Sequence, residues 1–122
     1  MGGKAKLTAE ERGILGEQLV ADDLVRRGMC LESVRYRCRF GEIDLIAWAG
    51  ETICFVEVKT RTNWAVGLPR EYVTVKKQEK LRAAALQYLS EHGLDCPARF
   101  DVAEVYLKDG REACIHYIEN AF

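Results

Sequence analysis

The chain has 122 residues, of which 48% are hydrophobic and 30% charged, and its 18 basic and 19 acidic side chains leave a formal net charge of −1. This composition is typical of one globular domain over residues 1–122 and excludes collagen-like and broadly disordered chains. No apolar run approaches the roughly 20 residues that a membrane helix needs. We expect a cytoplasmic protein without a membrane partner, with residues 1–7 flexible.

The first predicted element is a helix that begins at a capping box. Thr8 is followed three residues later by Glu11, a pair that satisfies two backbone N–H groups at a helix start. Apolar residues at helical spacing continue to Gly28, and glycine commonly follows the last turn of a helix. Residues 30–37 then predict a short strand, which three arginines interrupt.

A β-hairpin is the strongest local prediction. Two strand-like runs, residues 42–49 and 52–60, are separated only by Gly50 and Glu51. Glycine at the first turn position is typical of a two-residue type II′ turn.

The rest of the chain predicts one helix and two strands. Thr74 can cap a helix that runs to about His92, where Gly93 ends it. Residues 98–107 and Glu112–Ile118 are strand-like and flank an Asp-Gly turn at 109–110. The order is helix, three strands, helix and two strands, which predicts an α/β or α+β fold with a sheet covered by helices.

The hairpin register predicts a pair of neighbouring acids. With the turn at Gly50 and Glu51, Asp44 lies opposite Glu57 on a face that is otherwise mostly apolar. Two like charges in such surroundings are destabilising unless a cation or a proton compensates them. One account is a salt-bridge cluster on the sheet, with Lys59 opposite Glu42. The other is a divalent cation, Mg²⁺ or Mn²⁺, bound by Asp44 and Glu57 as one ion or two.

Glu17 is a candidate third acid of the same site. At about 100° per residue it lies within the apolar stripe of the first helix. Gly13 and Gly16 flank it and allow the helix backbone to approach the sheet. Glu17 is therefore predicted to bind the cation through water, while the simpler alternative has it reach solvent or an arginine.

These residues favour phosphodiester hydrolysis. A divalent cation polarises a phosphate diester and lowers the pKa of a bound water. Lys59, two residues after Glu57, can orient that water and stabilise charge that develops on phosphate oxygens. The predicted catalytic set is thus Asp44, Glu57, Lys59 and Glu17.

The segments GEIDLI at 41–46 and FVEVKTR at 55–61 resemble the PD-(D/E)xK nuclease superfamily. The chain looks closest to its YraN-like family of bacterial proteins, which are similar to archaeal Holliday-junction resolvases. The resemblance implies a restriction-endonuclease-like αβββαβ core with an extra C-terminal strand, and Asp44 and Glu57 as metal ligands. It also implies Lys59 as the catalytic lysine, Glu17 as an accessory acid, branched DNA as a candidate substrate and a homodimer as a candidate assembly.

Basic residues cluster on either side of the hairpin, although the net charge lacks the footprint of a DNA-binding protein. Seven of them fall between Lys59 and Arg82, and Lys77 with Gln78 extends the inward stripe of the second helix toward the site. The predicted nucleic-acid contacts are Arg37, Arg39, Arg61, Lys76, Lys77 and Gln78. A solvated helix face is the simpler interpretation of the lysines at 76–80.

Three functions remain open from the sequence. The first is a metal-dependent endonuclease that acts on DNA. The second is a nucleic-acid-binding module without turnover, and the third is a subunit whose near-neutral surface binds another protein.

Overall fold

A computed structural model describes residues 7–61, 73–108 and 112–122. Two predictions concern residues outside these ranges: the flexibility expected of residues 1–7, of which only Leu7 is described, and the Asp-Gly turn at 109–110. The elements follow the predicted order and are α1 (Ala9–Arg26), β1 (Cys30–Cys38), β2 (Gly41–Ala49), β3 (Thr52–Arg61), α2 (Val75–Glu91), β4 (Ala98–Lys108) and β5 (Glu112–Ile118).

The local signals at the helix ends and at the hairpin are confirmed. Thr8 and Glu11 form the predicted capping box of α1, and Thr74 caps α2. Gly50 has a φ of +60° while Glu51 keeps a negative φ, the combination that a type II′ turn requires.

The five strands form one mixed sheet in the order β1-β2-β3-β4-β5. Strands β3 and β4 are parallel, and the other neighbours are antiparallel. Helix α2 lies in the crossover between the two parallel strands, as βαβ connections require. This arrangement confirms the predicted mixed sheet with helices and an extra C-terminal strand.

The two helices cover opposite faces of the sheet. Val20 and Leu24 of α1 pack in a buried cluster with Leu45 and Val56. Leu81, Ala84, Ala85 and Tyr88 of α2 pack in a second cluster around Phe55. The far end of α2 is held to β1, because the Tyr88 hydroxyl donates to Glu32 at 3.1 Å and the Tyr36 hydroxyl donates to Glu91 at 2.5 Å.

The predicted hairpin register is correct near the turn and ends one pair early at the site. Ala49 pairs with Thr52 and Ile46 with Phe55, but the ladder stops at Leu45 and Val56. The predicted backbone pairing of Asp44 with Glu57 is therefore wrong. The physical reason is a break in the alternation of β2, since Ile43 and Ile46 pack in the same cluster although residues three apart normally face opposite ways.

No described helix has the length and apolar character that would let it cross a bilayer.

Candidate active site

A cavity of about 340 Å³ lies where β2 separates from β3, between the first turns of α1 and α2. All four predicted catalytic residues contribute to its wall, although they come from three different elements. The lining consists of Ala9, Arg12, Gly13, Glu17, Asp44, Glu57, Val58, Lys59, Thr60 and Lys77. Asp44 and Glu57 thus face one shared space, which the hairpin argument required.

The Asp44 side chain connects β2 to β3 beyond the last backbone pair of the ladder. Its Oδ2 accepts the backbone N–H of Val58 at 2.8 Å, so the side chain bridges the two strands where their backbones separate. Burial and the nearby charge of Glu57 raise the pKa of Asp44 to about 7, although the Val58 hydrogen bond opposes that shift. A carboxylate with a raised pKa beside a second acid is a common feature of metal and acid–base sites.

Glu57 lies between two lysines. Its side chain is 5% exposed, and its Oε2 contacts the Nζ of Lys77 and lies 3.7 Å from the Nζ of Lys59. The predicted contact of Lys59 with Glu42 is not made, because Glu42 accepts from Arg37 Nε at 2.7 Å. The buried negative charge of Glu57 is thus compensated by ammonium groups from both β3 and α2.

The two lysines differ in their electrostatic state. Burial lowers the pKa of Lys59, and the adjacent charge of Lys77 lowers it further. Burial also acts to lower the pKa of Lys77, but the hydrogen bond and charge of Glu57 outweigh it and the net shift is upward. Lys77 is therefore the ammonium more firmly held by Glu57.

Glu17 lines the cavity and also binds an arginine, which is a partner that the simpler sequence interpretation named. It is 15% exposed and accepts from Arg35 Nε at 2.7 Å. Arg35 has a φ of +56°, a strained conformation for a residue that is not glycine.

The backbone of α1 comes close enough to β3 that a Cβ on Gly16 would lie 1.9 Å from Thr60 Oγ1.

The donor set fits a hard divalent cation that keeps water or substrate ligands. Among the described residues, no three Asp, Glu, His or Cys side chains are grouped tightly enough to enclose a metal. Mg²⁺ is usually bound by one or two carboxylates together with water and phosphate oxygens. Asp44 and Glu57 match that requirement, and Glu17 lines the same cavity.

The predicted nucleic-acid contacts are spread over several surfaces. Only Lys77 among them lines the cavity. Arg39 stacks over the ring of Phe40, and Gln78 donates to the carbonyl of Val73 at 3.0 Å. Arg61 lies 3.5 Å from the fully buried Glu104, Lys76 is exposed on the first turn of α2, and Arg37 pairs with Glu42.

Sequence reasoning missed two polar side chains of the cavity wall, those of Arg12 and Thr60. Arg12 donates to the carbonyl of Leu7 at 2.7 Å and lies one turn before Gly16 on the cavity side of α1. Its helical spacing from Gly16 and Glu17 was the available signal. Nothing in the sequence marks Thr60, since its contact with α1 depends on the packing of the helix against the sheet.

Comparison with known proteins identifies the family. A family model described as "Uncharacterised protein family UPF0102" matches residues 16–105, which include Glu17, Asp44, Glu57, Lys59 and Lys77. A UPF0102 protein of Alkaliphilus metalliredigens is 46% identical over 90% of this chain and 96% of its own. Similar proteins from Trichlorobacter lovleyi and Clostridioides difficile are 46% and 41% identical over 90% and 93% of this chain, and over 88% and 97% of their own.

The chain belongs to the UPF0102 family, which confirms the YraN-like family that the sequence analysis expected.

Proposed function

We propose that the protein is a metal-dependent endonuclease that hydrolyses phosphodiester bonds in DNA, with branched DNA as the first substrate class to test. The observation that carries this proposal is the shared cavity of Asp44 and Glu57, with Lys59 beside them. The names of these relatives state no activity, so the proposal depends on the chemistry of this cavity.

Asp44 and Glu57 are the residues that would hold Mg²⁺ or Mn²⁺. Both are carboxylates within a largely buried setting, where their mutual repulsion favours the binding of a cation. When bound, the cation supplies the positive charge that polarises a phosphodiester and makes a water more acidic. Glu17 orients water on the α1 side of the cavity and is itself fixed by Arg35.

Lys59 donates to the phosphate oxygen on which negative charge develops. Its ammonium lines the cavity, and its side chain is 28% exposed. A preoriented donor in a partly buried site stabilises such charge more strongly than a donor in water does. Lys59 is therefore assigned to the stabilisation of charge in the transition state.

Cleavage of a labelled four-way DNA junction and of a matched linear duplex, with Mg²⁺ or Mn²⁺ and with EDTA, tests the proposal. We expect metal-dependent products that Asp44→Ala and Lys59→Ala each reduce by at least about 100-fold. Glu51→Ala removes an exposed acid at the opposite end of the same hairpin and serves as the control with normal activity.

Two results would redirect the proposal. DNA binding without products in the wild-type protein would favour a binding module without turnover. An absence of both binding and cleavage would favour a subunit that binds another protein.

A further inference from the structure

The ammonium group of Lys77 occupies the part of the cavity where a cation would meet Glu57. Its Nζ contacts Glu57 Oε2, and the Lys59 ammonium lies 3.7 Å from the same oxygen. One carboxylate oxygen therefore faces two positive charges before any metal arrives. That oxygen belongs to one of the two proposed metal ligands.

The local preferences of α2 do not explain the position of Lys77. Its backbone N–H donates to the capping Thr74 hydroxyl at 3.1 Å, which fixes Lys77 in the first helical turn. That turn contains Lys76 and Lys77 and no acid, although the positive end of the helix dipole favours acids there. The contact with Glu57 supplies the missing negative charge.

A divalent cation that bound Glu57 through Oε2 would compete with the Lys77 ammonium for that oxygen. Ligand distances for such ions are about 2.0–2.6 Å, so the ion and the ammonium would compete for the same space and repel each other. Lys77 is the lysine that an incoming ion must displace, because its ammonium contacts Glu57 Oε2 directly, and its 40% exposed side chain can move toward solvent. A flexible four-carbon stem allows the ammonium to move away while the helix stays in place.

We propose that Lys77 is the resident counter-ion of Glu57 and exchanges with the incoming divalent cation, so that Lys77 limits the metal affinity of the site. The inference rests on the metal assignment of the proposed function. In the metal-free protein the ammonium stabilises the acid pair. In the metal-bound protein the released ammonium lies at the cavity mouth, where it can meet a phosphate.

Calorimetric titration with Mn²⁺ in the absence of DNA tests the exchange. We expect Lys77→Met to bind Mn²⁺ about tenfold more tightly than the wild type, because a competing charge has been removed. Lys80→Met removes an exposed lysine one turn further along α2 and is expected to change the affinity by less than about twofold. Lys77→Gln, which keeps a donor near Glu57, is the second variant should Lys77→Met fail to fold.

Thermal unfolding supplies an independent readout. In EDTA, Lys77→Met is expected to melt below the wild type, and Mn²⁺ is expected to raise its melting temperature by more than that of the wild type. Equal or weaker Mn²⁺ binding in both Lys77 variants would overturn the exchange. If the wild type still cleaved DNA, the proposed function would stand, whereas a wild type that bound no Mn²⁺ would overturn both.

Discussion

Two aspartates in this sheet, Asp101 and Asp44, have different environments. Asp101 is fully buried, and it accepts from Arg99 Nε, from the Tyr117 hydroxyl at 2.5 Å and from the Asn120 N–H at 2.8 Å. Those donors compensate its charge, so the ion pair of Arg99 with Asp101 is structural. Asp44 instead shares a cavity with a second acid, Glu57. Burial and the charge of Glu57 raise the pKa of Asp44.

The raised pKa of Asp44 predicts a pH dependence of stability. Its folded value of about 7 exceeds the ordinary value of 3.8, so the folded protein retains a proton that the unfolded chain releases. In EDTA the free energy of unfolding should therefore fall as the pH rises between these values. Asp44→Asn removes this loss and should make the protein about 2 kcal/mol more stable than the wild type at about pH 8.

Urea denaturation across this pH range measures the effect. Asp22→Asn, an exposed acid of α1, is the control and should keep the pH slope of the wild type. If the free energy of unfolding changed with pH equally in Asp44→Asn and the wild type, the pKa of Asp44 would not be raised in the folded protein.

At the scale of elements, the site depends on how closely α1 approaches β3. Gly16 faces Thr60 so tightly that no Cβ fits without movement, whereas a Cβ on Gly13 would meet nothing within 4 Å. Both glycines are in the same helix and near the same cavity. Only Gly16 is required for the contact that brings Glu17 to the strand ends.

Alanine substitutions separate these two roles. Gly16→Ala should lower the free energy of unfolding by about 1–3 kcal/mol, because the helix must move away from β3. Gly13→Ala should raise it by up to about 1 kcal/mol through helix propensity alone. Chemical denaturation checks both values. Thr60→Ala should recover part of the loss in Gly16→Ala, and equal stability of the two single variants would refute the close approach.

The elements were predictable because their signals are local. The capping box at Thr8, the glycine turn at Gly50 and the helical spacing around Leu81 each involve residues close in sequence. The same locality explains why Asp44 and Glu57 were predicted to lie close together, although the ladder ends one pair before them. Both lie within a hairpin whose register follows from a two-residue turn.

The details of the site were not predictable because they depend on packing between distant segments. The break in alternation at Asp44 lies opposite Arg35, a residue whose positive φ has no sequence signal of the kind that glycine gives. The contact of Lys77 with Glu57 requires α2 to be placed over β3. Sequence spacing located these residues near the site without giving their partners.

For the molecule as a whole, the net charge of −1 means that the proposed binding of DNA would depend on local clusters of basic residues. Some basic side chains near the cavity already form salt bridges with acids, as in the pairs of Arg37 with Glu42 and of Lys77 with Glu57. Lys76 is exposed on the adjacent helix turn. Affinity for DNA should accordingly come from a few phosphate contacts near the cavity.

Salt dependence of DNA binding measures the number of those contacts. Each neutralised phosphate contributes a slope of about −0.9 to a plot of log affinity against log salt concentration, so we expect a slope of about −3. Lys76→Ala should reduce its magnitude by about one unit. Arg26→Ala, at the far end of α1, should leave it unchanged, and a slope near zero for the wild type would argue against phosphate contacts.

Asp44 and Glu57 are proposed to bind a divalent cation in the cavity between the first turns of α1 and α2. A crystal structure with saturating Mn²⁺, analysed by anomalous scattering, tests it most directly. We expect an anomalous Mn²⁺ peak within about 2.0–2.6 Å of carboxylate oxygens from both residues. We also expect the Lys77 ammonium to have moved away from Glu57. A cavity without Mn²⁺, and with Lys77 still bound to Glu57, would contradict it.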